Sequence, residues 1–299
     1  MNNHPETQFL NLLQKLLDEG DERVDRTGVG TRAIFGYQMR FDLSQGFPAF
    51  TTKKVFWKTA FKEILWMLSG GRNIRELVEQ NVHIWSDWPY KKYLDATAEN
   101  ISMEEFEQRI LEDHAFAEKW GDLGPVYGYQ WRHWEKNDGS EVDQIQWLLD
   151  ALKNNPASRR LLFEGWNVGQ LDEMALPPCH KTYQFFVSPN TNKISCSVLQ
   201  RSCDSFLGLS FNIVNGALIT HLLAEQCGYE PGELIWFGGD VHLYLNHIEQ
   251  AKLQLSREPR PFPKLVIKRK PTSLFEYTIN DFDLQGYDPH PHIPAKVAV

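Results

Sequence analysis

Residues 211–228, FNIVNGALITHLLAEQCG, are apolar around most of a helical circumference and end at Gly228. A helix that is hydrophobic on nearly every side has no solvent face, so the rest of the chain has to enclose it. Its neighbours in sequence are strand-like: LLFEGW, TYQFFV and KISCSVLQ come before it, ELIWF and KLVIKR after, each bounded by turn residues. Within ISCSVLQ, alternation puts Ile194, Cys196 and Val198 on one face. Helices and strands do not follow a strict βαβ order. That points to an α+β fold with a large, mixed and mainly antiparallel sheet flanked by helices. No stretch has the composition of a linker, and residues 1–299 are read as a single domain.

Upstream, FLNLLQKLL (residues 9–17) repeats apolar residues at helical spacing and stops at Gly20, and WKTAFKEILWMLSGG (57–71) predicts a second helix. The second helix is apolar on nearly every side except at Lys58, Lys62 and Glu63, so Glu63 is expected against a buried surface. Residues 89–120 are polar and charged and are expected to form a helical insertion on the surface.

Composition removes several classes of function. Asp and Glu (39) outnumber Lys and Arg (31), and the formal charge of -8 leaves no broad basic surface for nucleic acid or an anionic membrane. A small anionic ligand remains within reach. No apolar run approaches the roughly 18 residues that a membrane span requires. Cys179, Cys196, Cys203 and Cys227 are too few for a disulfide framework in a chain of this length, and the polar start MNNHPETQF does not read as a signal peptide. A cytoplasmic location is expected.

RTGVGTR (26–32) has the glycines of a dinucleotide loop but precedes the strand-like AIFGYQMRF, where that loop requires a helix. A glycine turn between Arg26 and Arg32 can still meet an anion. Arg159 and Arg160 in NNPASRRLLF, and Arg201 in QRSCDSFLG with Ser202 and Asp204 after it, offer planar guanidinium forks suited to phosphate oxygens. Any one of these arginines taken alone is more often a solvated ion pair. His242 and His247 are five apart, not at the i, i+4 spacing of a metal-binding helix, and no Cys-x-x-Cys pattern accompanies Cys179, so no metal is expected. On an extended chain His242 and Tyr244 share a face, as groups gripping one sugar hydroxyl would.

MALPPCH places Cys179 and His180 side by side after two prolines and directly before TYQFFV. Such a thiol is either a small buried hydrophobe or a nucleophile held near a cation. Adjacent residues of a strand face opposite ways, so His180 is poorly placed to take the proton of Cys179 itself.

Taken in order, these residues resemble the thymidylate synthase family over nearly the whole chain. The match runs through DRTGVGTRAIFGYQMRFDLSQGFPAFTTKK, HIWSDW, GDLGPVYGYQWR, MALPPCH, QRSCDSFLG, FNI, GGDVHLYLNH, GYDPHP and the terminal KVAV. The resemblance implies an α+β homodimer joined through its sheet faces. Its activity would be reductive methylation of dUMP to dTMP, with 5,10-methylenetetrahydrofolate giving both carbon and hydride. By the same resemblance Cys179 is the nucleophile at uracil C6, and Arg201 the neighbour that favours its thiolate. Glu63 organises water and moves protons, Tyr127 helps remove the C5 proton, and Asn212, Asp204 and His180 complete the catalytic set.

For dUMP, the resemblance implies a phosphate clamp of Arg26, Arg201 and Ser202, with Arg159 and Arg160 supplied by the second subunit. Asn212 would read the uracil edge beside Asp204, because an amide can donate to O4 and accept from N3–H. His242 and Tyr244 would hold the 3'-hydroxyl. For the folate it implies Lys53, Ile84, Trp85, Trp88, Asp204, Leu207, Gly208, Phe211 and the C-terminal Val299.

The chain departs from the family pattern at a few positions. Ser210 stands where proline is usual, Val214–Gly216 where alanine-serine-tyrosine is, Glu164 and Gly165 where a serine-alanine pair is, and Gly71 and Arg72 where aspartate and threonine are. None replaces a catalytic residue. Two rival readings share the scaffold. One is a dUMP hydroxymethylase, in which water replaces the hydride and tetrahydrofolate is released; the other is an idle nucleotide- or RNA-binding protein.

Overall fold

The computed structural model describes residues 4–24 and 28–297. In chain order, α1 (Thr7–Glu19), β1 (Asp21–Arg23) and β2 (Thr31–Asp42) lead to a helical stretch: α2 (Trp57–Leu68), α3 (Arg75–Val78), α4 (Asp87–Thr97), α5 (Met103–Glu112), α6 (His114–Trp120) and α7 (Tyr127–Arg132). The hairpin β3 (Trp134–Glu135) and β4 (Glu141–Val142), α8 (Gln144–Asn154) and β5 (Leu162–Glu164) follow. The chain continues through β6 (His180–Val187), β7 (Lys193–Asp204), α9 (Leu209–Cys227), β8 (Glu230–Tyr244), α10 (Ile248–Leu255), β9 (Lys264–Ile267) and β10 (Phe282–Gln285).

The fold is α+β, as the sequence implies, around a six-stranded sheet in the order β1-β2-β8-β7-β6-β5. The pairs β1/β2, β2/β8 and β6/β7 are antiparallel and β7/β8 is parallel, so the sheet is mixed. No helix among the described residues is long and apolar enough to cross a membrane.

The chain divides into two compact units, one made of Met1–Phe61, Leu149–Leu162 and Cys179–Val299, the other of Lys62–Leu148 and Phe163–Pro178. In the first unit, α9 is buried from Leu209 to Ala224 on nearly all sides and closes at Gly228 in the left-handed conformation (φ 77°), as its sequence requires. A side chain on Gly216 would begin 2.9 Å from Leu234 Cδ1 and 3.2 Å from Val198 Cγ2. The glycine therefore lets α9 lie against the apolar face of β7 and β8, where Ile194, Cys196, Val198, Leu234 and Trp236 are buried. α1 buries Phe9, Leu12, Leu13 and Leu16 and ends at Gly20. That glycine is extended; it is needed because a Cβ there would stand 2.5 Å from the Leu16 carbonyl oxygen.

One line of irregularity crosses the sheet. β6 shifts register between His180 and Thr182, Gly36 bends β2 at φ 87°, and a Cβ on Gly239 would stand 3.0 Å from the Arg201 carbonyl oxygen. Along β8 the buried residues are Leu234 and Trp236 before that line, and Val241 and Leu243 after it. The parity of the strand has switched, so His242 and Tyr244 face away from the core together. On the same sheet Phe35 (92% exposed), Phe186 (64%), Leu199 and Phe237 lie open, with Leu199 and Phe237 paired in register.

In the second unit, α2 ends at Leu68, three residues short of the expected Gly71, because Gly70 takes φ 87° and Gly71 lies against the Trp66 indole. Residues 89–120 run through three helices, α4 to α6, and the turns that join them, around an aromatic cluster: the Tyr93 ring is 5.4, 5.3 and 5.2 Å from those of Phe106, Phe116 and Trp120.

Candidate active site

Cys179 is half-buried at the mouth of β6, and its carbonyl accepts a hydrogen bond from the Arg201 amide at 2.8 Å. Strand register carries the arrangement on: β7 and β8 run parallel with Ser202 opposite Asp240 and Asp204 opposite His242. Cys179, Arg201, Ser202, Asp204, His242 and Tyr244 are therefore placed around one end of three adjacent strands. Burial pushes the thiols of Cys196, Cys203 and Cys227 up, away from thiolate.

His180, next to the nucleophile candidate, is buried with Nδ1 2.9 Å from the Tyr183 hydroxyl, and burial drives its pKa down to about 3. It is a neutral ring inside the core. His242 differs: its Nδ1 is 3.0 Å from Asp240 Oδ1, and its ring meets Tyr244 edge-on at 5.3 Å. Burial would raise the Asp240 carboxyl, but hydrogen bonds from Arg23 and His242 outweigh it and hold the group below the usual carboxylate range. An ionised Asp240 fixes the proton on His242 Nδ1 and leaves Nε2 to accept from a hydroxyl.

Asn212, in the first turns of α9, has its amide orientation set from a distance. Trp236 Nε1, which can only donate, binds Gln200 Oε1 at 2.8 Å; Gln200 Nε2 then donates to Asn212 Oδ1 at 2.9 Å. The Asn212 NH2 is thus directed outward as a donor, while Oδ1 keeps a second lone pair. Asp204 uses Oδ1 to accept from the amides of Phe206 (2.9 Å) and Leu207 (3.1 Å), which shapes the turn carrying Leu207, Gly208 and Phe211.

Lys53 is buried beneath that turn. Its ammonium donates to the Phe206 carbonyl and sits 3.7 Å from the Phe206 ring centroid; burial lowers its pKa to about 8 against the opposing pull of Asp204. The loop that carries it is tied down by a residue the sequence reading overlooked. Glu6, wholly buried, accepts from the amide and hydroxyl of Thr51 (2.8 and 2.7 Å) and of Thr52 (2.8 and 2.5 Å). Arg159 and Arg160 are exposed, with no side-chain partner among the described residues. Arg26 and Val299 lie outside the described residues.

The second unit groups the remaining candidates. Glu63 is buried (8% exposed) on α2, as the helix pattern predicts, and its Oε1 accepts from Trp85 Nε1 at 2.9 Å. The Trp85 ring meets Tyr127 edge-on at 5.9 Å and Trp88 at 5.5 Å. Ile84 is 39% exposed beside them in sequence. One indole therefore links the carboxylate, the phenol and the aromatic wall.

A family model described as thymidylate synthase matches residues 7–299. Among curated proteins, the thymidylate synthase of Sinorhizobium fredii is 57% identical over 100% of both chains. Those of Rhodopseudomonas palustris (56%, 99% of each chain) and Zymomonas mobilis (55%, 98% of this chain and 99% of the relative) are similar to it as well. The chain belongs to the thymidylate synthase family.

The structure accounts for several departures from the thymidylate synthase pattern. Gly216 is the close approach of α9 to the sheet, and Gly71 leaves room for the Trp66 indole, which a Cβ would meet at 2.1 Å. Glu164 pairs its backbone with both ends of the Gln144 amide (2.9 and 3.0 Å), and its carboxylate accepts from Trp166 N at 3.0 Å. Ser210 is buried in the first turn of α9, and nothing in its surroundings explains serine there.

Proposed function

We propose that the chain, a methyltransferase of the thymidylate synthase family, converts dUMP to dTMP through a covalent bond from Cys179 Sγ to uracil C6. The observation that carries the reading is the registration of Cys179 with Arg201 at 2.8 Å, on the same sheet end as Ser202, His242 and Tyr244. The Arg201 guanidinium favours the thiolate and, with Ser202 and Arg26, holds the phosphate. His242 Nε2 and the Tyr244 hydroxyl hold the 3'-hydroxyl.

Attack by the thiolate moves the C5–C6 electron pair toward C5 and O4. The outward NH2 of Asn212 meets charge developing on O4, and its Oδ1 accepts from N3–H, a pattern that the cytosine edge does not offer. Glu63 and Tyr127, joined through Trp85, serve the later proton transfers at the base: Glu63 orders the water that carries protons and Tyr127 helps remove the C5 proton. Departure of Sγ from C6 regenerates the free thiolate.

Methylenetetrahydrofolate supplies the one-carbon unit and the hydride when bound. Each unit offers groups of the right chemistry: in the first a buried ammonium at Lys53 and an Asp204 carboxylate that spends only Oδ1 on its own turn, in the second flat indoles at Trp85 and Trp88. Ile84, Leu207, Gly208, Phe211 and Val299 complete that assignment.

The reading includes a homodimer. Phe35, Phe186, Leu199 and Phe237 leave an apolar sheet face open to water, which a second copy would cover, and the unpaired Arg159 and Arg160 would reach the partner's phosphate site. With a formal charge of -8 and a small-molecule substrate, the enzyme needs no nucleic acid and works in the cytosol. The testing variant is Cys179→Ser: dihydrofolate release falls at least about a thousandfold while dUMP still binds. Retained turnover would remove Cys179 from the mechanism.

A further inference from the structure

Arg72, one of the departures from the family pattern, grips Asp122 with two parallel hydrogen bonds, Nε to Oδ1 at 2.8 Å and Nη2 to Oδ2 at 2.6 Å. Asp122 opens the segment DLGPVY that ends in Tyr127. The same Asp122 Oδ1 accepts from Gly124 N at 3.0 Å, and the Arg72 carbonyl accepts from Leu123 N at 2.9 Å. Arg72 thus holds this segment by its side chain and by its backbone at once.

The segment is tight beyond that point. Gly124 takes φ 76°, and a Cβ there would stand 2.0 Å from the Glu173 carbonyl oxygen; Val126 N donates to Gly124 O at 2.8 Å, and Tyr127 begins α7 directly afterwards. Leu123 O accepts from Ala175 N at 2.8 Å, in the run MALPP that leads into Cys179. The Arg72 guanidinium also stacks on Tyr129, two residues past Tyr127, at 5.1 Å.

We propose that Arg72 is a positioning residue for Tyr127: its fork on Asp122 sets the path of residues 122–126 and so fixes where the phenol stands. The proposal rests on the assignment of Tyr127 to C5 proton removal. A residue acting only through Tyr127 changes the rate once substrate is bound and leaves dUMP binding alone.

The test is a double-mutant cycle on the full-length enzyme, with kcat and the KM for dUMP measured for the parent, Arg72→Gln, Tyr127→Phe and the double variant. Arg72→Gln is expected to lower kcat about tenfold with the KM for dUMP within about twofold, and to cost less than about twofold in the Tyr127→Phe background. Arg72→Lys, which keeps the charge but not the fork, falls between. Equal losses in both backgrounds, or a change in KM alone, overturn the proposal while leaving Tyr127 in place. A fully active Tyr127→Phe overturns the assignment of Tyr127 and the proposal with it. Should Arg72→Gln fail to fold, Asp122→Asn, which keeps shape and loses charge, replaces it in the same cycle with the same expected pattern.

Discussion

The indole N–H of Trp236 donates to Gln200 Oε1 at 2.8 Å, and this bond, with the one from Gln200 Nε2 to the Ser202 carbonyl at 3.0 Å, sets which way round the Asn212 amide stands. An indole nitrogen cannot accept, so the Gln200 amide has one orientation, and through it so has Asn212. Trp236→Phe keeps a buried ring but removes one of the two contacts that orient Gln200, leaving only the Ser202 carbonyl, which accepts from Gln200 Nε2 at 3.0 Å, to hold the amide. Discrimination of dUMP over dCMP is expected to drop about tenfold, with a loss of about 1–3 kcal/mol in stability from the unpaired Gln200 oxygen. Competition kinetics with the two nucleotides, alongside thermal melts, check both. Asn212→Asp is expected to go further and accept dCMP, since a carboxyl group complements the cytosine edge.

Glu63 and Trp85 give a second prediction. Their 2.9 Å bond orients the buried carboxylate. Trp85→Phe preserves the aromatic wall and removes only the donor. It is expected to lower kcat on the order of tenfold, against about a hundredfold or more for Glu63→Gln, with the melting temperature of both close to the parent's. Equal rates in parent and Trp85→Phe, by steady-state kinetics, would mean that Glu63 is oriented by something else.

Lys53 predicts a pH dependence. Burial brings its pKa to about 8, so the ammonium is charged below that value and neutral above it. The KM for methylenetetrahydrofolate is expected to rise as pH passes 8, and Lys53→Arg, which stays charged, to abolish that rise. Stability moves the other way. Between about 8 and the ordinary 10.5 the folded chain binds fewer protons than the unfolded one, so this group stabilises the fold as pH increases. Opposite signs let binding and melting data separate the two effects.

The Glu6 carboxylate predicts a stability loss far from the catalytic residues in sequence. Replacing it by alanine strands the buried amides of Thr51 and Thr52 and the Thr52 hydroxyl, while the Thr51 hydroxyl still reaches the Arg260 carbonyl at 3.2 Å. Glu6→Ala is expected to cost roughly 3 kcal/mol in denaturant unfolding, and Glu6→Gln less, because its amide oxygen still accepts.

Local pattern made much of this legible. The all-round apolar run became α9 with its left-handed Gly228, alternation placed Ile194, Cys196 and Val198 inward, and the helical pattern marked Glu63 as a buried carboxylate. His242 and Tyr244 share a face as their spacing implies, but the glycine line through Gly36 and Gly239 that turns them out of the core depends on strand register, which no single segment carries. The overlooked residues have the same explanation. Gln200 and Trp236 are 36 residues apart, Glu6 and Thr51 45, and Arg72 and Asp122 50, so each looks like an ordinary polar or core residue until its partner arrives. The end of α2 was misplaced for a local reason: Gly70 breaks the helix, and the apolar pattern runs on past it.

The central claim is tested most directly by mixing the purified enzyme with dUMP and methylenetetrahydrofolate and identifying both products by mass. The account predicts dTMP and dihydrofolate in equal amounts, and no product with Cys179→Ser. 5-Hydroxymethyl-dUMP with tetrahydrofolate, or no nucleotide product at all, would contradict it.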